Sequence, residues 1–141
     1  MARPRSSAAA TTKRPAQVQS KDRATSSVAA RRAVLKRIKD EGVEHVLFWF
    51  TDLEGHLKSF AITPAELEVA LEDGLTFDGS SIDGFSRTYE ADMLARPDPT
   101  TFQILPWKSG SAGVARMFCD IVTPDGEPFE GDPRHVLRRT M

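Results

Sequence analysis

Residues equipped for chemistry gather in one short stretch of this 141-residue chain, Phe77-Asp78-Gly79-Ser80-Ser81-Ile82-Asp83-Gly84-Phe85. Two carboxylates, two hydroxyls and two glycines sit between aromatic anchors. The glycines let the backbone turn tightly or approach a ligand closely. Asp78 and Ser81 present acceptors to a small cation or to an adjacent chain. The same residues would equally form an Asx or Ser/Thr turn whose hydrogen bonds satisfy only the loop's own backbone. Tyr89-Glu90-Ala91-Asp92 adds acids a few residues on, and taken alone reads as a solvated segment. Elsewhere the equipment for catalysis is sparse. There is no GxxxxGK(S/T) phosphate loop and no GxGxxG turn. His45, His56 and His135 lie too far apart for a zinc site and read as surface or strand histidines.

The elements that must hold this loop follow from periodicity and punctuation. Val43 to Leu53 reads as a strand, with Val46, Phe48 and Phe50 on one side and Leu47 and Trp49 on the other. Both sides are apolar, which predicts a central strand covered on both faces. Glu54-Gly55 makes a tight turn, and His56 to Ile62 returns as the second arm of a hairpin. Thr63-Pro64-Ala65-Glu66 is a helix start with a capping-box spacing, and Gly74 ends that helix. Asp92 to Ala95 and Thr101 to Trp107 read as strands about the Pro97-Asp98-Pro99 turn. Val114 to Val122 is a further strand. It contains Cys119, the only cysteine, so no internal disulfide is possible, and the thiol reads as a small buried hydrophobe suited to a reducing compartment. Asp132-Pro133 opens a last helix. Upstream, Ser26 or Ser27 caps a first helix bearing Val34, Leu35 and Ile38, which Gly42 terminates. The sum is an α+β fold: a β-grasp-like mixed sheet with a covering helix, preceded by an N-terminal helix and a disordered tail.

Charge divides the chain unevenly. Residues 1–27 carry Arg3, Arg5, Lys13, Arg14, Lys21 and Arg23 against Asp22 alone, a net +5, and the remainder is net −6. Residues 1–26 are rich in Ala, Ser and Thr and too poor in apolar surface to offset ordering entropy, so they read as a disordered basic tail. A transit peptide is the sharper alternative. The charges form no dense patch, so neither a nucleic-acid partner nor a membrane is expected. No apolar run approaches the roughly 18 residues of a membrane span.

The ordered series Phe50-Thr51-Asp52-Leu53-Glu54-Gly55, Phe77-Asp78-Gly79-Ser80-Ser81-Ile82, Gly84-Phe85, Glu90-Ala91-Asp92-Met93, Pro97-Asp98, Leu105-Pro106-Trp107, Arg116-Met117-Phe118-Cys119-Asp120-Ile121 and Asp132-Pro133-Arg134 resembles the N-terminal domain of type-I glutamine synthetases. The resemblance covers about residues 30–139. It implies a β-grasp domain over 27–131, with 132–141 beginning the helix that leads to a catalytic domain absent from this chain, as in a fragment inactive alone. It implies ATP-dependent ligation of glutamate and ammonia through γ-glutamyl phosphate, in a cytoplasmic homo-oligomeric ring whose active sites lie between subunits. Asp78 and Ser81 would then belong to the ammonium site, supported by Glu90 and Asp92. ATP and Mg2+ or Mn2+ would serve the whole family enzyme, with no cofactor or metal ligand assigned to this chain. Ala91 stands where the family usually has Ser, which alters local hydrogen bonding there. The alternatives are a γ-glutamylpolyamine ligase of the same family, or a stand-alone β-grasp interaction module.

Overall fold

The computed structural model describes residues 16–79, 92–106 and 113–141, with side chains from residue 27 onward. Helix α1 (Ala16–Asp40) leads into strand β1 (Val43–Thr51), hairpin strand β2 (Leu57–Ile62) and helix α2 (Pro64–Asp73). Strands β3 (Leu75–Asp78), β4 (Asp92–Pro97), β5 (Gln103–Ile104) and β6 (Gly113–Val122) follow, then helix α3 (Pro133–Thr140). The six strands form one mixed sheet in the order β2-β1-β6-β4-β3, with β5 paired to β6. Among the described residues, β1 and β6 run parallel and the other strand pairs are antiparallel.

Alternation along the strands sorts the side chains onto two faces. Val46, Phe48 and Phe50 of β1 and Ala115, Met117, Cys119 and Ile121 of β6 are buried on one face. Met93 and Ala95 of β4 join them there. Val34 and Ile38 of α1 and Leu67, Ala70 and Leu71 of α2 close that face, so two helices rather than one cover it. Phe50 stacks on Phe77 at 5.3 Å between ring centroids, and Phe60 meets Phe48 at 5.6 Å. Truncating a ring such as Phe48 to Ala would cost about 3–5 kcal/mol through lost transfer energy and the cavity left behind.

The opposite face departs from the expected double coverage. Leu47 and Trp49 are only half-buried there. Phe118 lies beside Trp49, edge to face at 5.8 Å, and the Arg116 guanidinium sits over both rings at 4.7 and 5.4 Å. Arg116 is fixed by donating to the Thr101 carbonyl at 2.8 Å and to the Gln103 side-chain oxygen. An amphipathic ledge of this kind offers apolar area with a cation across its top.

Local chemistry explains the boundaries. The Glu66 carboxylate accepts from the Thr63 amide and hydroxyl, each at 2.9 Å, which caps α2. Gly74 ends it with φ 82 and ψ 177, a conformation open essentially to glycine, and a Cβ there would stand 3.2 Å from the Ala95 carbonyl. Helix α1 begins at Ala16, ten residues before the expected serine cap, so Ser26 and Ser27 lie inside it. The Ala, Gln, Lys and Arg residues between are helix formers, and local propensity carries the helix through the serines. Of the expected Thr101–Trp107 strand, Gln103–Ile104 pairs with β6 and the Leu105 amide donates to the Val114 carbonyl at 2.8 Å, whereas Pro99–Thr101 forms a 3-10 turn capped by the Asp98 side chain. Trp107 lies outside the described residues.

Candidate functional site

Asp78 is the last residue of β3, and Gly79 after it is buried. Phe77 turns into the core, against Phe50 and Phe60. The strand's alternation therefore sends Asp78 to the other face, where it is exposed. Asp92 opens β4 and is Asp78's direct partner across the antiparallel ladder, also exposed. Directly opposed side chains stand about 4.5–5.5 Å apart at Cβ, and like charges so placed repel. The register places this pair of carboxylates on the sheet face that carries Trp49, Arg116 and Phe118, not on the helical face. Two of the four residues singled out in the sequence are thus brought together by the fold. Ser81 and Glu90, the other two, lie outside the described residues, as does most of the loop between β3 and β4.

Two further polar centres hold the sheet in place; of these, the sequence reading found only Asp132 as the start of the last helix, a cap that the structure bears out. Asp52, at the end of β1, is fully buried. Its Oδ1 accepts from the amides of Glu54 (3.0 Å) and His56 (2.8 Å), closing the hairpin turn that Gly55 permits with φ 88. Its Oδ2 stands 3.5 Å from the Lys58 ammonium and from His56 Nδ1. Burial works to raise the Asp52 pKa, but the His56 amide and the Lys58 and His56 side chains outweigh it and hold the carboxyl below its usual range. The Asp-x-x-Gly pattern after an apolar strand was the available signal, and it marks an Asx turn.

The second centre joins α3 to the sheet. Asp132 caps α3 through Oδ1, which accepts from the Arg134 amide at 3.0 Å, and its Oδ2 accepts from the Ile121 amide at 3.1 Å. Burial pushes the Asp132 pKa up, against the lowering effect of those two amides. Arg134 and Arg138 then reach back to Asp98 and Asp120, with Arg138 at 3.1 Å from Asp98 and 2.6 Å from Asp120. Burial alone would raise the Asp98 pKa, but Thr100 and Arg134 hold it low. Cys119 is buried among these groups. Removal from water pushes its thiol pKa well up, so it is a packing residue and not a nucleophile.

Among the described residues, no group of three or more His, Cys, Asp or Glu side chains is arranged to hold a metal ion. No helix among them is long and apolar enough to cross a membrane.

Comparison with known proteins bears on this arrangement. Residues 42–124 match the family described as "Glutamine synthetase, beta-Grasp domain". A glutamine synthetase from Mycolicibacterium smegmatis is 57% identical over 110 residues, covering 77% of this chain and 25% of the relative. One from Clostridium saccharobutylicum is 51% identical over 106 residues, covering 75% of this chain and 24% of the relative. Among solved structures, the Plasmodium falciparum glutamine synthetase superposes with a TM-score of 0.70 at 26% identity, over 78% of this chain and 21% of that one. The chain thus spans about a quarter of the length of these relatives.

Proposed function

The chain belongs to the glutamine synthetase family as its β-grasp domain, and from that premise we propose that it supplies the ammonium-binding edge of a glutamate–ammonia ligase. The observation that carries this reading is the pairing of Asp78 with Asp92 at the end of the β3–β4 ladder, exposed on the face away from the helices. Opposed carboxylates attract a small cation, whose charge offsets their repulsion. Ammonium is such a cation, and it is not a nucleophile until it loses a proton. Asp78 holds it and accepts that proton. The freed ammonia attacks the acyl carbon of γ-glutamyl phosphate, the C–N bond forms as the C–O bond to phosphate breaks, the surplus proton on nitrogen passes to the departing phosphate, and glutamine and inorganic phosphate leave. Ser81 orients the ammonium through its hydroxyl, and Glu90 and Asp92 add negative field around it.

ATP, glutamate and the divalent metals are bound by parts that this domain does not contain. The site is complete only where a second polypeptide surface faces the strand edge, in a cytoplasmic homo-oligomer. The half-buried Trp49, Phe118 and Arg116 ledge on the same face supports such a facing surface, because it leaves apolar area for a partner to cover.

The acceptor is tested by phosphate release, in a protein that joins this domain to the relatives' remaining length, supplied with glutamate and ATP. Ammonium is expected to support faster turnover than putrescine at equal concentration. Faster turnover with putrescine would move the reading to amine ligation and remove ammonium from the Asp78 site.

A further inference from the structure

A cleft of about 220 Å3 separates α1 from α2 on the helical side of the molecule, away from the Asp78–Asp92 pair. Arg31 and Arg32 of α1 form one wall, and Glu68 and Glu72, one turn apart on α2, form the other. Val28, 46% exposed, and the buried Leu71 make an apolar floor. Elsewhere on α1, Lys36 pairs with Asp40 at 3.1 Å and Arg37 with Glu41 at 2.8 Å, while Lys39 makes no ion pair among the described residues. Among the described residues, none of the four charged side chains of the cleft makes an ion pair or side-chain hydrogen bond, although opposite charges line the two walls. The gap between the walls has room for about seven waters, comparable to one small amino acid.

We propose that this cleft binds a free α-amino acid with an aliphatic side chain, as a zwitterion. Its carboxylate lies against Arg31 and Arg32, where a guanidinium donates two parallel hydrogen bonds. Its ammonium lies between Glu68 and Glu72, and its side chain rests on Val28 and Leu71. Such a ligand bridges α1 to α2 and ties the N-terminal helix to the helical layer over the sheet. This site is separate from the proposed ammonium site, and its occupancy does not depend on catalysis.

The test is an NMR titration of the full chain with L-leucine, following the amides of Val28 and Leu71. Saturable shifts are expected. L-leucinamide lacks the carboxylate and N-acetyl-L-leucine lacks the ammonium, so each is expected to bind at least about tenfold more weakly. Arg32→Ala and Glu68→Ala, both at exposed positions, are each expected to weaken leucine binding by a similar factor while the remaining spectrum is unchanged. Absence of saturable shifts would overturn the proposal. So would equal binding of the neutralised analogues, or unchanged affinity in both variants, since the walls would then merely be solvated.

Discussion

Asp132 offers a quantitative test of how the last helix is fixed to the sheet. It is 1% exposed, and each of its oxygens accepts one amide, Arg134 at the helix start and Ile121 in β6. Asp132→Ala removes a helix cap, worth about 1 kcal/mol. It also leaves the Ile121 amide without its acceptor, at about 1–3 kcal/mol. Some of that is offset, because the carboxylate is costly to bury, as its raised pKa shows. The net expectation is a loss of about 2–3 kcal/mol. Asp132→Asn keeps one acceptor oxygen and turns an amide group toward the other N–H, so it should lose roughly half as much.

Urea unfolding followed by tryptophan fluorescence measures both variants, with the slope unchanged if only stability is affected. The pH dependence adds a sign. A folded-state pKa raised above the ordinary 3.8 means that this group favours folding most at low pH. The gap between the wild type and the Ala variant should therefore narrow as pH rises through the folded pKa. An Ala variant within about 0.5 kcal/mol of wild type, the range of an ordinary surface change, would refute the reasoning. So would an Asn variant less stable than the Ala variant.

Asp98 should behave with the opposite sign, because its folded pKa is lowered. Asp98→Asn loses the charge that Arg134 and Arg138 share, costing about 2 kcal/mol at neutral pH. Wild type and variant should converge as pH falls below the ordinary 3.8 toward the folded pKa, and a constant gap measured by urea unfolding across that range would contradict the assignment. Cys119, buried and with its thiol pKa pushed up, should resist iodoacetamide in the native protein and react only in denaturant, as mass spectrometry would show. Rapid native labelling would place the thiol at the surface.

Features legible in the sequence were those written in local pattern. The alternation of Val46, Phe48 and Phe50 marked β1, and Thr63-Pro64-Ala65-Glu66 marked the start of α2, because caps and periods are set by residues within a few positions. Gly42, Gly55 and Gly74 were legible as breaks, and each has positive φ. Long-range features were not. Pairing of β1 with β6 in parallel joins Phe48 to Met117, far along the chain, and no local signal encodes that register. Asp98 is read locally as a turn residue, yet its partners Arg134 and Arg138 lie 36 and 40 residues later. Asp52 looked like one more polar turn residue, and only the folded hairpin shows it buried beneath His56 and Lys58. Trp49 belonged to a run apolar on both sides, which suggested double coverage, whereas the structure leaves that face partly open. For the candidate site, Asp78 was found from composition and family resemblance together, and its placement opposite Asp92 came from the fold.

The central claim is that Asp78 holds ammonium and takes its proton. Its most direct test is steady-state glutamine formation, in a protein carrying this domain and the relatives' remaining length, with Asp78→Ala and Asp78→Asn compared with wild type at varied ammonium. Loss of general-base catalysis predicts a fall in turnover of about 10²–10⁴-fold in both variants, with weaker dependence on ammonium. Turnover and ammonium dependence unchanged from wild type would contradict the account.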